Sequence, residues 1–311
     1  MSGSTGNSFS NRAIDVTLTI GQGTLGQTGF NTVKLSGLRV EVAIVKGGMP
    51  SMDTADIRIY GVQPSVMNQL STWGVPFPML RLNNTVTLAA GDGVTMPPIF
   101  HGHVLRGWQD FDSLPETCLH IQSQGGAAAA MVPASPISFP GGADVATIMS
   151  GLATTMGLAF ENNGVQVQLS NPYFAGTALQ QAEKCAKAAH IQMLIDSSTV
   201  PNTLVIVPWT GTRGGAIPII SAATGLIGYP RYFDYGVSFR CLFNPNLKML
   251  GKIKLETSIG NTTPATAQTP AQPGLPSGIW YISALSYDLA TWVPDGPWFC
   301  DVSGAFTAVA T

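Results

Sequence analysis

Charge is what this 311-residue chain lacks most: Asp, Glu, Lys and Arg make up 10% of it, against about 25% in ordinary soluble proteins. So few ionic side chains cannot cover much monomer surface, and large areas are expected to be buried in a permanent assembly. The formal net charge of −2 argues against general affinity for nucleic acid, which needs many phosphate-neutralising cations. Met1 to Asn11 is polar and has neither the basic start nor the apolar core of a signal peptide. No apolar run reaches membrane-spanning length, so stable membrane insertion is not expected. The chain is therefore expected to be made in the cytoplasm, and to leave it only by a route other than signal-directed secretion. Its 4 cysteines, Cys118, Cys185, Cys241 and Cys300, are far apart and form no CxxC pair. They read as reduced core thiols, not as a metal site or a disulfide framework.

Catalytic signatures are missing as well. There is no GxSxG elbow, HExxH helix or Walker-type phosphate loop. Asp110, Asp112 and Glu116 form the tightest acidic cluster, but they sit in a turn, where Asp is favoured for local backbone bonding. Nothing marks one as a buried acid and another as a base. His101 and His103 share a strand face and His120 lies on a neighbouring segment, yet no third ligand stands close in sequence, so they read as a polar sheet face. No catalytic residue, cofactor or metal is expected.

What the chain does have is alternation. From Ile14 to Gln122 the period is two: Ile14, Val16, Leu18, Ile20; then Leu38, Val40, Val42, Ile44; then Ala55, Ile57, Ile59. Further strands are expected at Thr85 to Ala89, Ile99 to Trp108 and Thr117 to Gln122, giving a small antiparallel barrel or sandwich. One short helix interrupts them, with Pro64 near its start and Val66, Leu70 and Trp73 on one face. The small, proline-punctuated run Gly125 to Pro140 marks a boundary. Helical spacing follows: Asp144 caps a helix carrying Val145, Ile148, Met149, Leu152 and Met156, and Gly157 ends it. After a strand at Val165 to Leu169, Thr177 and Gln180 form a capping box for a second helix, whose inner face is Leu179, Ala182, Cys185, Ala186 and Ala189. Strands at Met193 to Asp196 and Leu204 to Val207 complete an α+β insert.

A second β-rich region runs to the end. Gly236 to Ile259 reads as two long strands joined at Asn244, Pro245 and Asn246, with Phe243 opposite Leu247, Cys241 opposite Met249 and Phe239 opposite Gly251. Val237, Phe239, Cys241, Leu247, Met249, Ile253 and Leu255 then form the oily side. Arg240, Lys248, Leu250, Lys252, Lys254 and Glu256 form the other, a candidate subunit-interface or channel-lining face. The second strand, Leu247 to Thr257, would span roughly 35 Å at about 3.3 Å per residue. Gly260 to Pro276 has no apolar periodicity and reads as a mobile loop. Ile279 to Leu289, with Trp280, Ile282 and Ala284 on one side, and Pro297 to Phe306 return to strand pattern. The division expected is 1–130, 131–210 and 211–311, with the loop at 260–276: mainly β, with an α+β insert.

Four stretches carry a resemblance: TADIRIYGVQPSVMNQLSTWG (Thr54 to Gly74), GGADVATIMSGLATTMGLAFENNGVQVQLSNPYFAGTA (Gly141 to Ala178), TGLIGYPRY (Thr224 to Tyr232) and GVSFRCLFNPNLKMLGKIKLE (Gly236 to Glu256). They resemble, in the same order, the baseplate hub proteins of contractile-tailed bacteriophages, the group that includes the phage late control protein D type. The resemblance implies two tail-tube-like antiparallel β-barrel domains flanking a small α/β domain, assembled as a homotrimer. Such a ring of six similar positions would join a hexameric tail tube to a trimeric central spike. The partners implied are further copies of the chain, the tail tube protein, the central spike protein, the tape measure protein and baseplate wedge proteins, with DNA passing only transiently. The setting implied is the virion tail, assembled in the host cytoplasm. A spike or wall enzyme would be a separate polypeptide. The hub of a phage-derived contractile injection system and a cell-wall-degrading tail hydrolase remain as alternatives.

Overall fold

The computed structural model describes residues 11–21, 23–25, 30–48, 51–71, 84–111, 115–233, 236–257 and 278–306. Where hydrophobic residues alternate, the chain is extended. The first β region contains β1 (Ala13–Thr19), β2 (Thr32–Leu35), β3 (Val40–Lys46), β4 (Thr54–Tyr60), β5 (Thr85–Gly91), β6 (Pro98–Asp110) and β7 (Cys118–Gln124). Between β4 and β5 lies the short helix α1 (Pro64–Leu70), with proline in its first turn and Val66, Met67 and Leu70 buried. Trp73 lies outside the described residues.

The insert follows as α2 (Ala127–Met131), β8 (Ile137–Ser138), β9 (Gly142–Asp144), α3 (Val145–Thr155), β10 (Ala159–Asn162), β11 (Gln168–Ser170), β12 (Tyr173–Phe174), α4 (Ala178–Ala188), β13 (Ile191–Asp196) and β14 (Thr203–Pro208). Its helices start where their caps dictate. Asp144 accepts from the Thr147 amide at 2.9 Å, and Thr177 and Gln180 complete the reciprocal capping box. Gly157, just past α3, is left-handed at φ 69. The strand expected at Val165 to Leu169 is shorter and displaced, because the Asn162 side chain captures the Val165 amide at 2.8 Å and holds it in a turn.

The second β region holds β15 (Ile219–Ile220), a single 3₁₀ turn, β16 (Leu226–Phe233), β17 (Gly236–Leu242), β18 (Lys252–Leu255), β19 (Gly278–Thr291) and β20 (Trp298–Phe306). It does not stand apart from the first. One 13-stranded sheet runs β16-β17-β20-β19-β3-β4-β7-β6-β5-β1-β2, with β15 and β18 attached at one corner. The link is antiparallel pairing of β19 with β3, Leu285 opposite Lys46 through Thr291 opposite Val40. Beneath it the buried side chains of both regions, from Ile14 and Val16 to Cys300 and Val302, form one continuous apolar cluster. The path is open at both ends, and no closed barrel occurs among the described residues.

Beneath α3 and α4 the insert builds a three-stranded sheet, β10-β14-β13. Met193, Ile195, Leu204 and Ile206 pack into the helical core, while Leu194, Val205 and Val207 belong to the large sheet's core. Burial on both faces is what fixes the insert to the β regions, since each face would otherwise expose branched apolar side chains to water.

The expected hairpin is not formed. β17 pairs with β16 and β20, and β18 pairs with β15 and β19, so neither strand has an edge left for the other. The expected turn exists, with the Leu247 amide on the Asn244 carbonyl at 3.3 Å, but a second turn follows, with the Gly251 amide on Lys248 at 2.9 Å. Leu250 is left-handed there at φ 61, which breaks the alternation and buries its side chain. The expected long strand from Leu247 to Thr257 shrinks to Lys252–Leu255. Phe243 bonds to Trp298 instead of Leu247. A bulge between Ile282 and Ala284 likewise resets β19, so Ala284 faces outward and Leu285, Tyr287 and Leu289 face in.

Candidate functional site

Residues expected on one cationic face are divided by these changes. Lys254 lies between Ile219 of β15 and Ile279 of β19, and Lys252 lies beside Tyr281. Ile217, Ile219 and Ile279 are all exposed, so the two lysines stand in an apolar surface. Lys254 is already held by Glu256 at 2.7 Å. Arg240 is on a different part of the sheet, bound through Nε and Nη2 to the two Asp301 oxygens at 2.7 and 2.8 Å. Lys248 is exposed in the second turn, Asn244, Pro245 and Asn246 form the first, and buried Leu250 leaves the face altogether.

Beside this surface lies a sheet edge that carries no further strand among the described residues and that reading for alternation passed over. β16 is the terminal strand, and almost all of it is solvent-exposed, Tyr229 at 76% and Phe233 at 56%. The Phe233 ring lies over Gly236, where an added Cβ would come within 2.5 Å of it. An edge carrying the exposed side chains of Ile227, Tyr229 and Phe233 invites another chain. A bulge between Ile227 and Arg231 and Pro230 interrupt it, which limits indiscriminate pairing. At the opposite end β2 is short, and its Lys34 is bound to Asp15 at 2.7 Å.

A second charged group, also missed, locks the three parts of the chain together. Lys46 points inward from β3, its Nζ 3.2 Å from Asp53 and 2.9 Å from the hydroxyls of Ser197 and Ser198. Arg213 reaches Asp196 at 2.6 Å and both Glu161 oxygens at 2.9 and 2.6 Å. The Lys46 and Arg213 side chains are each 3% exposed. Burial pushes the Asp196 carboxyl up, but Lys46 and Arg213 outweigh it and hold the group at about 2. The Arg213 hydrogen bonds similarly lower Glu161. A lysine continuing the oily series Val40, Val42, Ile44 was the available signal, because a charge in that row demands a buried partner.

Chemical candidates stay scattered. His101 bonds Thr87 at 2.8 Å, while His120 is held by Asp56 at 2.6 Å and packs at a tilt against Trp108. Glu116 is bound to Arg39 at 2.8 Å, Asp110 ends β6, and Asp112 lies outside the described residues. No group of three metal-binding side chains occurs among the described residues. All 4 cysteines are buried and unbridged. No described helix is long and apolar enough to cross a membrane.

Comparison with known proteins turns this architecture into an assignment. The family model described as baseplate hub gp41 matches residues 13–268. The chain belongs to this baseplate hub family. The hub's fold is similar to that of a tail protein from Neisseria meningitidis MC58, at TM-score 0.60 and 10% identity, over 95% of this chain and 96% of that one. It is also similar to the 43 kDa tail protein of prophage MuSo2 from Shewanella oneidensis, at TM-score 0.56 and 9% identity over 95% and 96%. An E. coli component of the type VI secretion system, described as structurally similar to the T4 tail proteins gp27 and gp5, aligns at TM-score 0.54 and 10% identity over 86% and 73%. No curated protein matches the sequence. As the family name implies, the hub is a structural component of a phage tail or baseplate.

Proposed function

We propose that this hub works as a homotrimer in the virion baseplate, joining the hexameric tail tube to a trimeric spike and surrounding the channel for tape measure protein and DNA. The family match over residues 13–268 carries the reading. Residues 1–130 and 211–311 would supply the two tube-like units of each copy, giving six per ring, with 131–210 projecting as the insert. The sheet supports this by being open at both ends among the described residues: β16 of one copy would meet a neighbour, covering the exposed Tyr229 and Phe233. The role is mechanical and needs no chemical step. Lys252 and Lys254, set among exposed isoleucines, would face a neighbouring subunit, and the balanced Arg240–Asp301 pair would leave the sheet face too weakly charged to retain passing DNA.

Electron microscopy of the purified protein is the test, with a three-fold ring around a central hole expected. A monomer at about 10 μM by sedimentation would overturn the trimer. The fold shared with the type VI secretion component favours one second reading, the hub of a contractile injection system. Neighbouring capsid and terminase genes would accompany only the phage version.

A further inference from the structure

Two of the buried cysteines, distant in sequence, are neighbours in the large sheet. Cys241 of β17 lies directly opposite Cys300 of β20, in an antiparallel register that runs without a shift from Gly236 opposite Ala305 to Leu242 opposite Phe299. Both side chains turn into the apolar core, Cys241 1% and Cys300 0% exposed. Two positions along the same ladder, the Phe243 amide donates to the Trp298 carbonyl at 3.0 Å. Alternation then makes Cys241 and Cys300 a hydrogen-bonded pair too, with Cα atoms about 5.5 Å apart. Natural disulfides bridge Cα separations of about 4.4–6.8 Å. The two thiols already share a hydrogen bond.

Neither remaining cysteine has such a neighbour. Cys118 of β7 is flanked by Tyr60 and Asp110, and Cys185 of α4 belongs to the separate core of the insert. Around the pair, Tyr287 of β19 stands opposite Cys300 on its other side and directs its hydroxyl to the Leu247 carbonyl at 3.2 Å. The Asn244 amide donates to the Cys300 sulfur at 3.4 Å. Burial and the adjoining Cys241 thiol push Cys300 up, which keeps it in the unreactive thiol form while the strands stay closed.

We propose that Cys241 and Cys300 form a dormant redox site, which a small uncharged oxidant of the peroxide class converts to a cross-strand disulfide joining β17 to β20. Both S–H bonds and the O–O bond of the peroxide break, one S–S bond forms, and the two oxygens leave as water. Each sulfur gives up one electron and one proton in the process. A reducing cytoplasm keeps the thiols apart, and an oxidising medium closes them. Because β16 is held by β17, the bridge fastens the strand that carries Tyr229 and Phe233 to the body of the sheet. The site stands on strand register alone and is independent of the proposed role in the baseplate.

The test is peptide mapping of the folded, full chain after exposure to dilute hydrogen peroxide, with remaining thiols alkylated in denaturant and digestion without reductant. The expected product is one linked pair of peptides, holding Cys241 and Cys300, in about tenfold or greater excess over every other pairing. The same treatment in urea should give mixed pairings, since the fold alone selects the partner. A Cys118→Ser/Cys185→Ala variant should keep the bridge, and Cys300→Val should leave Cys241 without one. Recovery of Cys241 and Cys300 unbridged from the folded chain after prolonged exposure overturns the proposal. Mixed pairings from the folded chain, matching those in urea, overturn it equally.

Discussion

Two sets of cations divide this molecule. Lys46 and Arg213 are sunk where the two β regions and the insert meet, each with several partners. Arg240, Lys252 and Lys254 stand on strand faces in contact with water. The same residue types contribute through different physics. A buried cation is costly to desolvate, so removing one partner strands the others, whereas an exposed pair is screened and contributes little.

The sharpest test of that contrast is Arg213→Ala, which leaves Asp196 and Glu161 without their shared guanidinium. We expect a loss of about 3–5 kcal/mol in urea unfolding. A loss below about 1 kcal/mol would place the junction in the same class as the surface pairs.

Acid is the next test. Asp196 is depressed from 3.8 to about 2, equivalent to roughly 2 kcal/mol. Because the folded value lies below the unfolded one, this stability is present above pH 3.8 and should be lost as pH falls toward 2. An Asp196→Asn variant should lack that acid step. Burial also lowers His101 and, together with its neighbour, His103. Their contribution is therefore full above the ordinary 6.5 and declines as pH drops below it. A melting curve at pH 5 should show His101→Gln/His103→Gln losing less than the parent.

On the exposed side, Arg240→Ala should cost about 0.2–1 kcal/mol despite its two short bonds to Asp301, because both partners are about half exposed. The smallest stability change, within about 0.5 kcal/mol, is expected for Lys252→Glu/Lys254→Glu. That pair should instead impair assembly or genome ejection. Normal infectivity of the double variant would remove these lysines from the proposed interface.

Legibility followed the range of the interaction. The Asp144 cap of α3, the capping box of α4 and the strands β1, β3, β4, β5, β6 and β7 were readable because their determinants lie within a few residues. The hairpin failed for the opposite reason. Two adjacent apolar rows in good register look like partners, but β20 and β19 offered Phe239, Cys241, Ile253 and Leu255 better-matched neighbours far along the chain. Leu250 shows the local consequence: one left-handed residue, fixed by the Ile282 carbonyl on its amide and the Arg213 amide on its carbonyl, reverses which side chains face out. Of the candidate face, the fold keeps Lys252 and Lys254 on one strand face and sets Arg240 and Leu250 apart from them.

By itself, the sequence determined that the chain is β-rich with a helical insert and sparsely charged. Those properties are sums over residues and short repeats. Tertiary structure decided that β3 and β19 would fuse two β regions into one open sheet, that Lys46 and Arg213 would meet at a dry junction, and that β16 would pair on one side with β17 and carry no strand on the other among the described residues. Each of these depends on which distant strands capture one another's hydrogen-bonding edges, a competition that local alternation cannot rank.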